Sequence, residues 1–179
     1  MNCWKTVNIT KQVGFHRVFI LSILFGLFGF ILLYLPLSII HRTPVMEDYG
    51  LLPLMLGFAF MPLVHKLMHI LPLLCTNRQF KLEWKIKKRV FPDFKVCQNT
   101  KTSKPILILA LLAPTLFLTL PLIIASYAIP SFYAYFLLFA SINLGLSYVD
   151  FLYVNHVLKA PKKCVIANAD QGYDILIQR

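Results

Sequence analysis

The chain has 179 residues, of which 58% are hydrophobic and 14% are charged, and its formal net charge is +11. A soluble domain usually carries about a quarter charged residues, so this composition excludes an ordinary soluble enzyme and indicates a membrane protein. The positive charge would also suit a nucleic-acid-binding protein, but its distribution along the chain argues against that class.

The apolar residues form four blocks, and each block is long enough for a membrane-spanning helix. A hydrocarbon core about 30 Å thick needs roughly 20 helical residues. No block contains more than one Lys, Arg, Asp or Glu. We therefore predict an all-α polytopic membrane protein, a single integral membrane domain over residues 1–179. The expected transmembrane helices cover about 18–40, 51–74, 105–129 and 131–158.

The basic residues predict how these spans are oriented. Of the 18 Lys and Arg, three precede the first span, nine lie between the second and third, and four follow the fourth. An even number of spans thus puts 16 of the 18 on one side. Because loops rich in Lys and Arg stay in the cytoplasm, we predict that both termini and the basic loop 75–104 are cytoplasmic. We expect these charges to contact anionic lipid headgroups and not nucleic acid.

The basic loop contains a segment with the pattern of a strand. In Lys81 to Lys87, KLEWKIK, apolar and charged residues alternate strictly, which is typical of a strand with one buried face. A turn at Pro92-Asp93 would complete a small cytoplasmic β-hairpin over 81–96, between helices 2 and 3. An unstructured basic loop is the alternative. The apolar stretch 175–177 in the tail is a candidate partner strand for this hairpin.

The second span contains the motif HKLMH, from His65 to His69. Histidines at i and i+4 lie on one face of a helix, about one turn apart. This is the spacing of the H-E-x-x-H zinc site of metalloproteases, in which the histidines bind the metal and the Glu is the general base. Here Lys66 occupies the Glu position, so the ligand pair is present and the carboxylate base is missing.

The fourth span carries Asp150 at a matching depth. At a rise of 1.5 Å per residue, Asp150 lies about 12 Å from the inner end of its span, and His65 and His69 about 8 to 14 Å from theirs. Two histidines and one aspartate make a three-ligand set with an open fourth position, as in catalytic zinc sites. Asn143 and Ser147 share the helical face of Asp150, and we expect this polar face to point into the bundle.

Other features of the chain predict structural roles. We interpret Pro114 and Pro121 in the third span as a kink or packing device, and His156 as a surface histidine near the interface. The four cysteines fall on or near the cytoplasmic side and form no C-x-x-C pair, so we predict free thiols. They are Cys3, Cys75, Cys97 and Cys164.

Taken in order along the chain, these motifs resemble the putative zincin peptidases. These are small bacterial membrane proteins, distantly similar in plan to site-2-type intramembrane metalloproteases. The resemblance covers nearly the whole chain. It rests on the H-x-x-x-H of the second span, the APTLFLTLPL of 113–122, an Asp late in the fourth span and the tail LKAPKKCVIANADQGYDILI of 158–177. It implies that His65 and His69 bind zinc, that Asp150 is the third ligand, and that the protein lies in the bacterial cell membrane.

The substitution at Lys66 leaves several functions open. Lys66 and Asp150 could pair across two spans in a structural polar cluster without metal. An active zinc-dependent intramembrane-type metallopeptidase would need another base, such as a neutral Lys66. A small transporter or channel subunit would need a polar path or repeated halves, and the sequence has neither. We expect a non-catalytic or weakly active metallopeptidase homologue, a pseudoenzyme, that binds or regulates a membrane-protein or peptide partner.

Overall fold

A computed structural model of the protein describes residues 2–41, 50–76, 102–161, 164–169 and 172–177. The described chain is mostly helical, and four of its helical segments are long and apolar enough to cross a membrane. This confirms the predicted four-helix architecture. The helices are α1 (Ile9–Val13), α2 (Phe15–His41), α3 (Leu51–Thr76), α4 (Lys104–Pro114), α5 (Leu120–Ala128) and α6 (Tyr133–Leu158).

The third span is interrupted between α4 and α5 by a π-helical segment, Thr115–Thr119. Pro114 and Pro121 flank this segment, and a proline has no amide hydrogen to donate to the carbonyl four residues earlier. Single π-helical turns within α-helices occur at such interruptions and often lie at functional sites. The third span therefore changes from α-helical to π-helical geometry between the two prolines, where the sequence predicted a kink or packing device. A 3-10 turn, Pro130–Phe132, then leads into α6.

Helix α6 is at the centre of the bundle, because it packs against α2, α3, α4 and α5. The approach of α2 to α6 is close at Gly26 and Gly145. A Cβ atom on Gly145 would lie 2.9 Å from the carbonyl oxygen of Ser22, so a larger residue would push the two helices apart. Most of α2 away from this contact is exposed and apolar, as expected of a helix that faces lipid.

Four short strands form an antiparallel sheet of order β1-β4-β3-β2. The apolar stretch 175–177 lies within β4. Its two edges pair with β1 and β3, and not with the predicted hairpin. The predicted hairpin over 81–96 lies outside the described residues. The strands are β1 (Asn2–Val7), β2 (Thr102–Ser103), β3 (Cys164–Ala169) and β4 (Gly172–Ile177).

Gly172 begins β4 with a backbone φ of +106°, a conformation that favours glycine. A Cβ atom at this position would also collide with the carbonyl oxygen of Val7 in β1. The thiols of Cys3 and Cys164 are free, as predicted, whereas the side chains of Cys75 and Cys97 lie outside what the structure describes.

The sheet packs on the end of the bundle where α2 begins and α6 ends. Val7, Ile9 and Ile175 form one apolar cluster with Val18 of α2. Ile166 of β3 forms a second cluster with α4 and α6.

A lysine joins the same end of the bundle. Nζ of Lys104 donates to the carbonyls of Leu158 and Ala160, at 3.0 and 2.7 Å. The first carbonyl belongs to the last residue of α6 and the second lies just beyond it, so both lack helical donors. A cation there also suits the negative end of the helix dipole. Lys104 thus holds the start of α4 against the end of α6.

Candidate metal centre

Helices α3 and α6 bring His65, His69 and Asp150 together, as the motif spacing predicted. Nε2 of His65 lies 3.3 Å from Nε2 of His69. Oδ2 of Asp150 lies 3.3 Å from the first of these nitrogens and 3.4 Å from the second. The three atoms thus form a nearly equilateral triangle. Ligand atoms about 2.0–2.1 Å from a tetrahedral zinc lie about 3.3–3.4 Å from one another. The triangle has the size of one face of a zinc coordination tetrahedron.

The second nitrogen of His65 is held by Asn143. Nδ1 of His65 lies 2.8 Å from Oδ1 of Asn143. Nδ2 of Asn143 donates to the carbonyl of Pro114 at 2.9 Å and to Oγ1 of Thr119 at 2.7 Å. A carbonyl can only accept, so the amide nitrogen of Asn143 must face Pro114 and its oxygen must face His65. Nδ1 of His65 is therefore the donor, and Nε2 faces the triangle.

The second nitrogen of His69 is held by a backbone carbonyl. Nδ1 of His69 donates to the carbonyl oxygen of Ala110 at 2.8 Å. In a regular helix this carbonyl would accept from the residue four positions later, which here is Pro114 and has no amide hydrogen. The carbonyl is free to bind His69 for that reason. Both histidines thus carry their proton on Nδ1 and aim Nε2 at the triangle, the arrangement that outer contacts impose on zinc-bound histidines.

In the described part of the chain, the groups that lie against Oδ2 of Asp150 are the Nε2 atoms of the two histidines. Oδ2 of Asp150 is buried there without a hydrogen bond of acceptable geometry, although both Nε2 atoms are close. When both imidazoles are neutral, two nitrogen lone pairs and a carboxylate oxygen face one another. His65 and Asp150 are only 7% and 9% exposed, so bulk water screens this repulsion little. A cation at the centre would satisfy all three atoms, and a set of two nitrogens and one oxygen suits zinc.

Asn143 and Ser147 lie on the helical face that their spacing predicted, and the contacts of Asp150 differ from those of the structural-cluster alternative. Asn143 and Ser147 are both fully buried on the face of α6 that carries Asp150. Lys66 follows His65 on α3 and is half-buried. In the described contacts, the partners of the Asp150 carboxylate are the two histidines, whereas the structural-cluster alternative assigned that role to Lys66.

Sequence reasoning missed the contribution of the third span to the site. Pro114 acts twice, because its missing amide frees Ala110 and its own carbonyl binds Asn143. Thr119, at the end of the π-helical segment, supplies the other acceptor for Asn143. The signal available in the sequence was a proline within a span, which implies a free carbonyl four residues earlier. The sequence does not say which side chain uses that carbonyl.

Comparison with known proteins agrees with this geometry. The family model described as putative zincin peptidase matches residues 58–165, a range that includes the three converging side chains and also Asn143 and Ser147. No curated protein and no solved structure matches the chain. Since the match extends over more than half of its length, the chain belongs to the putative zincin peptidase family.

Proposed function

We propose that the protein is a membrane-embedded zinc-binding homologue of the zincin peptidases, in which His65, His69 and Asp150 hold the metal and proteolysis is absent or weak. The observation that supports this most is the triangle of ligand atoms at 3.3–3.4 Å with both Nδ1 protons turned outward. Three protein ligands leave one coordination position open, as in catalytic zinc sites. A bound zinc ion would act as a Lewis acid toward a carbonyl group.

The proposal of weak or absent proteolysis follows from the residue after His65. A general base contributes about 10² to 10⁴ in rate, and Lys66 stands where that base is expected. Asp174 is the other carboxylate among the described residues. Its neighbour Tyr173 faces α6, where its ring contacts Tyr153, and successive strand residues point to opposite faces. Asp174 therefore faces away from α6 and does not replace the missing glutamate.

A site that keeps its metal and lacks its base would bind a carbonyl or carboxylate group without cutting the chain that carries it. We therefore propose a binding or regulatory role toward a membrane-protein or peptide partner. We further propose that the protein lies in the bacterial cell membrane with both termini in the cytoplasm. The basic residues at one end would then contact anionic headgroups.

Elemental analysis of the purified protein in detergent tests the metal site. We expect about one zinc per chain in the wild type, and loss of that zinc in His65→Ala and Asp150→Ala. His156→Ala is the matched control, because it removes a histidine of α6 that lies outside the triangle, and it should retain the metal. A wild-type protein without metal would contradict the proposal and favour a polar cluster of protonated histidines around Asp150.

A further inference from the structure

Ser147 has a buried hydroxyl group that no described hydrogen bond explains. The residue is 0% exposed, and its Oγ atom has no partner within the described part of the chain. Buried hydroxyl groups in proteins nearly always have a partner, and an exception indicates a bound water, ion or ligand. Oδ2 of Asp150, one turn further along α6, is another buried atom without a described hydrogen bond, although it lies 3.3–3.4 Å from the two Nε2 atoms.

The side chain of Ser147 also differs from those of three other serines in the described helices. Ser38, Ser126 and Ser141 each donate to the carbonyl three residues earlier, at 2.7–2.8 Å. That bond to the helix backbone is the usual solution for a serine in an apolar environment. Ser147 does not form it, although it is as well buried as any of them. Its hydroxyl is therefore available to a partner other than its own helix.

The position of Ser147 on α6 places it beside the candidate metal centre. It lies four residues after Asn143 and three before Asp150, so the three side chains share one helical face. Asn143 binds one nitrogen of His65, and Asp150 lies against the other nitrogen of the same ring. Ser147 lies between these two contacts along the helix axis, on the face of α6 that packs against His65.

We propose that the Ser147 hydroxyl donates a hydrogen bond to the ligand at the open coordination position. This inference rests on the proposed metal site and adds a specificity-determining residue to it. A hydroxyl donor favours a ligand that presents an oxygen acceptor, such as a carbonyl, carboxylate or hydroxamate group. The class of partner group is thus a peptide carbonyl or a carboxylate, held by the metal on one side and by Ser147 on the other.

The test uses full-length protein loaded with Co²⁺ in detergent, because the visible absorption of Co²⁺ reports exogenous ligands without any activity. The probe is acetohydroxamate. Ser147→Ala should bind one Co²⁺ per chain like the wild type and bind acetohydroxamate about 10-fold more weakly, the effect of one lost hydrogen bond. Ser141→Ala, which removes a serine bonded to its own helix, should bind the probe like the wild type.

A second pair of variants keeps the test decisive if Ser147→Ala accumulates poorly. Thr and Val have the same shape, so Ser147→Thr should bind acetohydroxamate more tightly than Ser147→Val by about the same factor. Equal affinities in variants that load Co²⁺ fully would overturn this inference and leave the proposed metal site standing. Loss of Co²⁺ from Ser147→Ala would also overturn it, since Ser147 would then support the metal itself. A wild type that takes up no Co²⁺ would refute the proposed function.

Discussion

The imidazole of His69 donates from Nδ1 to the carbonyl oxygen of Ala110 across 2.8 Å. This bond joins α3 to α4 at the level of the candidate metal centre. It exists because the helix that contains Ala110 has no amide hydrogen at position 114 to compete for the carbonyl. Pro114, which the sequence indicated as part of a kink or packing device, is therefore a positioning residue for one of the two histidines.

Replacing that proline should weaken metal binding more than it weakens the fold. Pro114→Ala restores an amide hydrogen four residues after Ala110, so the carbonyl can return to its helical bond and release His69. Loss of such outer contacts typically costs 10- to 100-fold in metal affinity. We expect a decrease of this size in a competition titration with a zinc chelator. Pro121→Ala is the control, and an equal loss of affinity there would point to a general helix distortion.

Asn143 should be sensitive to the loss of its amide nitrogen. A carboxylate can only accept, so Asn143→Asp would set an acceptor against the carbonyl of Pro114 at the place of a 2.9 Å hydrogen bond. We expect lower thermal stability and about 10- to 100-fold weaker zinc binding, measured by the same titration. Asn155→Asp makes the same change at an exposed position of α6 and should leave both quantities unchanged. Unaltered metal affinity in Asn143→Asp would show that His65 does not depend on this contact.

Two substitutions of Lys66 separate electrostatic repulsion from base catalysis. Lys66→Met removes the cation that follows His65 in the chain, and Lys66→Glu also supplies a proton acceptor and restores H-E-x-x-H. Both variants should bind zinc more tightly than the wild type. Only Lys66→Glu should show chelator-sensitive cleavage of a membrane-tethered test substrate. Robust cleavage by the wild type, abolished in Lys66→Ala, would make Lys66 itself a catalytic residue and contradict our proposal.

The proposed orientation predicts which ends of the helices react from outside the cell. Leu51 begins α3 and Ser103 immediately precedes α4, and both are exposed at opposite ends of the bundle. On a cysteine-free background, Leu51→Cys should react with an impermeant maleimide on intact cells. Ser103→Cys should react only after permeabilisation. The reverse pattern would place the basic loop and both termini outside and refute the topology.

The three candidate metal ligands are the part of the site that the sequence predicts best. Helical periodicity puts His65 and His69 on one face, and the rise per residue puts Asp150 at their depth. Both rules act within single helices of known length. The contacts that orient the histidines connect different helices, and no local rule relates His69 to Ala110 or His65 to Asn143. The pairing of β4 with β1 is harder still, because it joins Tyr173 to Val7 from opposite ends of the described chain.

The strand order β1-β4-β3-β2 has a consequence for biosynthesis. The first described strand to leave the ribosome cannot pair until the last one has been made, since β4 is its neighbour. During translation the backbone N–H and C=O groups of β1 therefore lack their partner strand until all four spans have been synthesised. The sheet that packs against the end of α6, the helix that contains Asp150, can be completed only at that late stage. We expect metal loading to follow release of the chain, and early termination before Gly172 to leave a product that cellular quality control removes.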